Sequence, residues 1–279
     1  MKKSVMLVAA ATTMFLAACN DEETVNDVES VLNDSIEAME GLTSYSMNMD
    51  STQSMVIDEN EAMDFDTMIE MDLLLEPLTF FQKTSLDLGD MGMGMDMSFE
   101  YDSYFSEEDG FFIEDPFVGE WAKFPESLMD EFLSLTDAQL SPEEQIKPFK
   151  DHISELSLEE TDGHYVIRLK GEGADMETFA EQIGGMAGEG LDEMFHDIWS
   201  DIEIHQLEYE IFIDKETNYQ TEANIHMELT MEIEGESMTM EQTSHLTLSR
   251  FNELNDLQVP EEVMNNAQEM TEEDFLGGF

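Results

Sequence analysis

Cysteine is nearly missing: Cys19 is the only one in 279 residues. No disulfide can form within the chain, so a domain of this size has to rest on its hydrophobic core. Basic residues are scarce too, with 10 Lys and Arg against 67 Asp and Glu and a formal net charge of −57. That balance excludes nucleic acid as a partner, because phosphate binding needs clustered cations. It also implies repulsion from anionic headgroups and anionic wall polymers. No stretch reaches the ~20 consecutive apolar residues of a transmembrane helix. Several chemical signatures are missing as well. There is no Asp-x-Asp-x-Asp-Gly calcium loop and no Gly-x-Ser-x-Gly elbow. Gly171-Glu172-Gly173 and Gly184-Gly185 lack the rest of a phosphate loop. His152, His164, His196, His205, His226 and His245 include no pair at zinc-like close spacing. No carboxylate pair for glycoside chemistry stands out among so many acids. No catalytic residue is assigned, and neither metal nor cofactor is expected.

What is present begins at the N-terminus. Lys2 and Lys3 form a positive region, Val5 to Leu16 an apolar one, and Ala17-Ala18 supplies small residues before a cut. Leu16-Ala17-Ala18-Cys19 resembles the lipobox of bacterial lipoproteins. That resemblance implies a removed signal peptide over 1–18 and a diacylglyceryl group on Cys19, with Cys19 opening the mature chain. Two acyl chains satisfy the two-signal requirement for stable anchoring. Residues 19–24 then read as the lipidated cysteine and a short polar tether. The expected location is the extracytoplasmic face of the cell membrane.

The rest is ordered by period. Val25, Val28, Leu32, Ile36 and Met39 recur at three and four, which predicts a helix with one apolar stripe, stopped at Gly41. The period then becomes two. Tyr45, Met47 and Met49 alternate with polar residues. Phe65, Ile69, Met71, Leu73 and Leu75 do so opposite Asp64, Asp66, Glu70 and Asp72. Pro77 ends that strand, and Phe80 to Leu88 returns. Met91, Met93, Met95, Met97, Phe99 and Tyr101 share one parity of a fourth strand. Short strands follow at Phe111 to Ile113 and at Trp121 to Phe124. Leu128, Met129, Phe132 and Leu133 form a helical stripe. Ser141-Pro142-Glu143-Glu144 reads as a capping box with proline at the first helical position, and Pro148 kinks or ends that helix. Thr161-Asp162-Gly163 turns a hairpin. Asp175 opens a helix carrying Met176, Phe179 and Ile183, and another carries Leu191, Met194, Phe195 and Ile198.

The final third is nearly all sheet. Leu207, Tyr209, Ile211 and Ile213 alternate with acids, then Ala223, Ile225, Met227, Leu229, Met231 and Ile233 hold one parity. Met238 to Leu248 completes a meander. Val259-Pro260-Glu261-Glu262-Val263 opens a short closing helix. The expected class is α+β: one curved antiparallel sheet of about eleven strands, an open half-barrel, with helices on its concave side. Residues 25–267 form a single domain, and 268–279 read as an acidic, loose tail.

The lipobox, tether, first helix and Ser44-Tyr45-Ser46-Met47 together resemble uncharacterised substrate-binding-like lipoproteins of Bacillus-type bacteria. Gly119-Glu120-Trp121-Ala122-Lys123 is similar to their Trp-x-Lys strand. Phe251-Asn252 followed by Val259 to Val263 is similar to their closing motif. Their layout is similar to that of the LolA and LppX carriers. The resemblance implies a half-barrel closed by helices around a lipid-sized cavity, and carriage of an apolar ligand. It carries over no catalytic residue.

Methionine gives the chain its remaining character, with 24 in all. Thioethers in series can bind Cu(I), and Met91-Gly92-Met93-Gly94-Met95 has that look. A deformable apolar cavity explains more of them, since unbranched, polarizable side chains adapt to differently shaped partners. The expected lining is Tyr45, Met47, Met49, Phe65, Ile69, Met71, Met93, Met95, Met97, Phe99, Trp121, Ile211, Ile225, Met227, Leu229 and Met231. His226 and His245, on the polar parity of pairing strands, form at most a surface pair. The expected function is non-catalytic binding of a lipid-like or other apolar ligand by a monomer. The alternatives are an interaction lipoprotein whose cavity is filled by its own helices, and a surface hydrolase.

Overall fold

The computed structural model describes residues 21–57, 62–90, 96–129, 133, 140–171, 202–233 and 236–271. The helix predicted from Val25 begins at Asp21 and ends at Met39 (α1). A single sheet follows. Its strands are Ser44–Ile57 (β1), Met63–Leu75 (β2), Leu78–Asp90 (β3), Asp96–Ser106 (β4), Gly110–Glu114 (β5) and Trp121–Lys123 (β6). They continue with Leu156–Glu160 (β7), His164–Gly171 (β8), Ile202–Asp214 (β9), Gln220–Ile233 (β10), Glu236–Ser249 (β11) and Gln268–Glu269 (β12). The order across the sheet is β12-β6-β5-β4-β3-β2-β1-β11-β10-β9-β8-β7, with β12 and β7 at the edges. Every pair is antiparallel except β12 with β6. The class is the expected one, an open antiparallel sheet with few helices.

Parity decides which side of each strand is covered. In β2 the odd residues are half-buried or buried, while Asp64, Asp66, Met68 and Glu70 are exposed. The register then aligns the covered residues of neighbouring strands. Tyr45 lies opposite Leu73, Leu73 opposite Phe80, and Phe80 opposite Phe105. Against this side α1 lays Val28, Leu32, Ile36 and Met39, all buried. A second helix, Pro142–Ile146 (α2), and a 3-10 segment, Lys147–Glu155, add Ile146 and Phe149 to the same core. Phe149 meets Tyr209 edge-on at 4.9 Å.

Three expectations are corrected. Ser141 does cap α2, and Pro142 does open it, but the Ser141 side chain makes no capping hydrogen bond, so the capping box does not form. Gln268–Glu269, expected in the loose tail, form β12 instead, and the Met270 N–H donates to the Lys123 carbonyl at 2.9 Å. The runs from Leu207 to Ile213 and from Ala223 to Ile233 keep the expected parity, and a register irregularity at Glu228/Leu229 falls in β9 just before Leu207. The extra residue puts Ile204 on the same side as Leu207, although their spacing alone says otherwise. Trp121 packs on the sheet face opposite α1, beside Tyr104. The helices expected from Asp175 and Leu191, and the 91–95 run, lie outside the described residues.

After β11 the chain crosses the face opposite α1. Arg250 donates to Ser46 Oγ at 2.7 Å and pairs with Asp72. Arg250 and Asn252 have positive φ (51° and 59°), which turns the chain sharply. Asn252 Oδ1 accepts from the Thr43 N–H at 2.7 Å and from its hydroxyl at 2.9 Å. A last helix, Glu261–Asn266 (α3), then seats Val259 and Val263 on Phe112, with Tyr104, Trp121 and Ala267 around them.

Leu73 is fully buried at the centre of the α1 side, while Met68, on the same strand, is 52% exposed on the other. Leu73→Ala is expected to lower unfolding free energy by about 2–5 kcal/mol. Met68→Ala is expected to stay within about 0.5 kcal/mol of the wild type. Urea titrations of the two variants check the assignment of faces.

Candidate functional site

The α1 side of the sheet is not uniform along its strands. Towards the start of β1 it is closed: Tyr45, Leu73, Phe80 and Phe105 are buried, and Phe80 stacks on Phe105 at 5.4 Å. Tyr45 donates its hydroxyl to the Leu140 carbonyl at 2.8 Å, tying the helical segment to the sheet. Burial, with Glu143 nearby, pushes that hydroxyl well above the usual tyrosine range. Next come Met71, Met47 and Leu248 in register, then Ile69, Met49, Leu246, Ala223, Ile211 and Ile167.

Towards the end of β1 the same side is looser. Met63, Met55, Met240, Leu229 and Ile204 stand opposite one another across five strands. Met63, Met55 and Met240 are only half-buried. Ile57, Met238, Met231 and Ile202 form the row beyond, also half-buried. Of these, Leu229 and Met231 are among the residues that the sequence places on one parity. Phe65, Met97, Phe99 and Met227 belong to the same half-buried set. Met93 and Met95 lie outside the described residues.

Most of the expected lining therefore shares one side of the sheet. It divides by depth: Tyr45, Met71, Ile211 and Leu229 are buried, and Met47, Met49, Ile69, Ile225, Met227 and Met231 are half-buried. Trp121 belongs to the other side, against the crossing segment, with Lys123 over the Phe112 ring at 5.5 Å. Sequence reasoning missed a polar element on the α1 side. Ser51, Gln53, Gln242 and Ser244 occupy apolar-parity positions in β1 and β11, and the two strands bring them together. Their place in the parity pattern was visible; their pairing required the register.

A cleft of about 530 Å³ opens where α1 ends, floored by Met39, Leu42, Leu75, Leu78, Leu133 and Leu140 and rimmed by Glu40, Glu76, Glu107 and Glu143. The opposite face holds an acidic trough of about 580 Å³ over β1–β4, lined by Asp50, Asp66, Asp87 and Glu100 among others. Lys83 bonds Glu100 at 2.8 Å and holds its carboxyl below the usual range. Asp102 goes the other way, raised by burial and by Glu114. Among the described residues no three His, Cys, Asp or Glu converge as a metal site. His226 bonds Thr243 at 3.2 Å and His245 bonds Asn224 at 2.8 Å, so each has a partner other than the second histidine.

No curated protein matches the chain. A family model described as a family of unknown function (DUF6612) matches residues 27–268. Among solved structures, LprF from Mycobacterium bovis is similar over 84% of this chain and 97% of its own, at 9% identity and a TM-score of 0.41. The lipoprotein LppX of Mycobacterium tuberculosis is similar over 84% and 99%, at 14% identity and a TM-score of 0.36. A LolA superfamily protein from Nitrosomonas europaea is similar over 85% and 96%, at 9% identity and a TM-score of 0.21.

Burial pushes the Tyr209 hydroxyl from the usual 10 up to about 12. The folded state therefore holds a proton that the unfolded chain releases first. Its contribution is intact below pH 10 and is lost as pH rises towards 12, by roughly 1.4 kcal/mol per unit. Tyr209→Phe is expected to remove that share of the alkaline loss, as measured by urea midpoints between pH 9 and 12.

Proposed function

The chain belongs to the family of unknown function DUF6612, and for it we propose a membrane-anchored, extracytoplasmic binding module for a lipid-like or other apolar molecule. The ligand lies against the α1 side of the half-barrel sheet. The supporting observation is the half-buried row Met63, Met55 and Met240, continued by Leu229 and Ile204 across neighbouring strands. A surface that had only to support folding would be closed there, as it is at Leu73 and Phe105. Methionine suits a site that accommodates chains of varied shape, because its three rotatable bonds adjust without a polar penalty. Met47, Met49 and Ile225 extend the lining towards the core. The same chemistry argues for binding rather than catalysis.

Diacylglyceryl Cys19 supplies the anchor in this reading, in the manner of a Bacillus-type lipoprotein. Net charge of −57 keeps the domain soluble and away from anionic surfaces, so attachment depends on the acyl chains. A second reading, an interaction lipoprotein whose face is filled by its own chain, is favoured by Leu229 and Ile204, each 2% exposed within the loose end. Mass spectrometry of protein purified without detergent separates the two. A retained amphiphile supports binding, and its consistent absence supports the filled face.

Cys19→Ala is expected to move the protein from the detergent phase to the aqueous phase on partitioning. Unchanged partitioning would remove the anchor from the proposal. Replacing Met55, Met63 and Met240 together by Leu is expected to keep apolar-dye affinity within about threefold, since volume and polarity are conserved. Met240→Glu alone is expected to weaken it at least roughly tenfold by burying a carboxylate. Fluorescence titration reads both variants. A tight, stoichiometric Cu(I) site lost with the triple change would instead mark the methionines as ligands.

A further inference from the structure

The apolar side of the sheet carries Thr67, Gln82, Thr84 and Ser103 on β2–β4, and it is interrupted again on the neighbouring strands β1 and β11. At four positions where parity calls for an apolar residue stand Ser51 and Gln53 on β1 and Ser244 and Gln242 on β11. Ser51 faces Ser244, and Gln53 faces Gln242. Their side chains form one ladder. The serine hydroxyls are 2.8 Å apart, Gln242 Nε2 donates to Ser244 Oγ at 2.9 Å, and Gln53 Nε2 donates to Gln242 Oε1 at 2.9 Å. Both serines are buried, at 8% and 3% exposure, and both glutamines are half-buried. Phe65 and Met227 flank the glutamines in register, and Met55 and Met240 follow along the same strands.

Counting protons shows what the ladder lacks. Only one serine hydroxyl can donate across the 2.8 Å contact, so one hydroxyl proton is left over. Each glutamine amide keeps a second N–H outside the ladder, and Gln53 keeps its carbonyl oxygen. Three donors are thus left over beside the unused lone pairs of the hydroxyls and amide carbonyls, in a largely apolar surround where unmet donors are costly. An acceptor from outside can meet them. Charge narrows the choice further. Among the described strand residues on this side none is Lys or Arg: Lys83, Arg168 and Lys170 are on the other parity, paired with acids, and Lys123 is on that other side too, over the Phe112 ring. A phosphate or free carboxylate would be desolvated here with no counter-charge. A neutral carbonyl would not.

Resting on the binding reading above, we propose that the Ser51–Ser244–Gln242–Gln53 ladder reads the ester carbonyl of an uncharged acyl amphiphile. Its hydrocarbon chains lie along Met55, Met240, Phe65 and Met227. The ladder thereby favours neutral acyl esters over acidic lipids and over ether lipids that lack the carbonyl.

The test uses the full chain carrying Cys19→Ala, stripped of lipid on a hydrophobic resin. Three probes share the same chain length: a diacylglycerol, its dialkyl ether analogue and the corresponding phosphatidic acid. The diacylglycerol is expected to bind roughly tenfold more tightly than either of the others. In Gln53→Leu/Gln242→Leu the advantage over the ether lipid is expected to disappear while ether-lipid binding is kept. Should that pair fail to fold by circular dichroism, Gln53→Met/Gln242→Met reads the same quantity. Equal binding of ester and ether lipids by the wild type, or an ester preference that survives the substitutions, overturns the proposed ladder role and leaves the apolar site standing. Binding of none of the three probes overturns both.

Discussion

A strand has two sides, and in this sheet one of them is covered, among the described residues, by α1, α2 and the 3-10 segment. That constraint organises the rest of the molecule. The stripe Val28, Leu32, Ile36 and Met39 on α1 closes over the strands near Tyr45 and Leu73, where the core is driest. Burying side chains of this size yields on the order of 1.5–3 kcal/mol each. The other parity is left to water, and the acids are there. Keeping the acids of the described strands on the solvated side limits their mutual repulsion, since exposed charges beyond about 8–10 Å are screened by salt. The few cations are used across strands. Arg168 lies between Glu159 and Glu210, Lys83 on Glu100, and Lys170 on Glu208, so that acids meeting in register are separated by a base.

The acidic side is not wholly wet. The segment after β11 crosses it, fixed first by Arg250 on Ser46 and Asp72 and then by Asn252 on Thr43. It finishes by placing Val259 and Val263 on Phe112 and pairing β12 with β6. An exposed sheet edge invites pairing with another chain, and a short covering strand is a common way to blunt it. The Trp-x-Lys strand and the Phe251-Asn252…Val259-Val263 closing motif, read separately in the sequence, meet in this one place. Trp121 and Lys123 supply the wall and Val259 and Val263 the plug. These motifs close the fold at this edge of the sheet. That is why Trp121 stands on the opposite side of the sheet from the methionines.

Much of this was legible because a period of two is unambiguous over thirteen or fourteen residues. Phe65 to Leu75 and Ala223 to Ile233 could be assigned a face from their own composition. What escaped were features set by neighbours. The irregularity at Glu228/Leu229 leaves no local mark, yet it returns Ile204 and Ile202 to the covered side. β12 is two residues of ordinary tail, held by an edge that the sequence does not reveal. Ser141 has the right type for a cap, but the Glu144 N–H is already taken by the Ser141 carbonyl at 3.0 Å. The ladder on β1 and β11 stood in the sequence as polar residues at apolar parity. It became a single object only when the register put Gln53 opposite Gln242.

The two ends of the covered side differ in how tightly they pack. At the Tyr45 end, aromatic and branched side chains interlock, and changes of volume there are felt at once. At the Met55 end, unbranched side chains in half-buried rows lose little when rearranged, because no single packing is enforced. The ladder lies between these zones. Its serines are on the closed side of the boundary, with Ile225 and Tyr209 continuing their row, and its glutamines on the open side, beside Met227. A polar group placed deeper would be sealed and inert, and one placed further out would bond to water. At this depth it is fixed by its neighbours, and Met55 and Met240 follow it along the same strands. A rigid polar mark at the border of a soft apolar surface is the arrangement that orients a flexible molecule without fixing its shape.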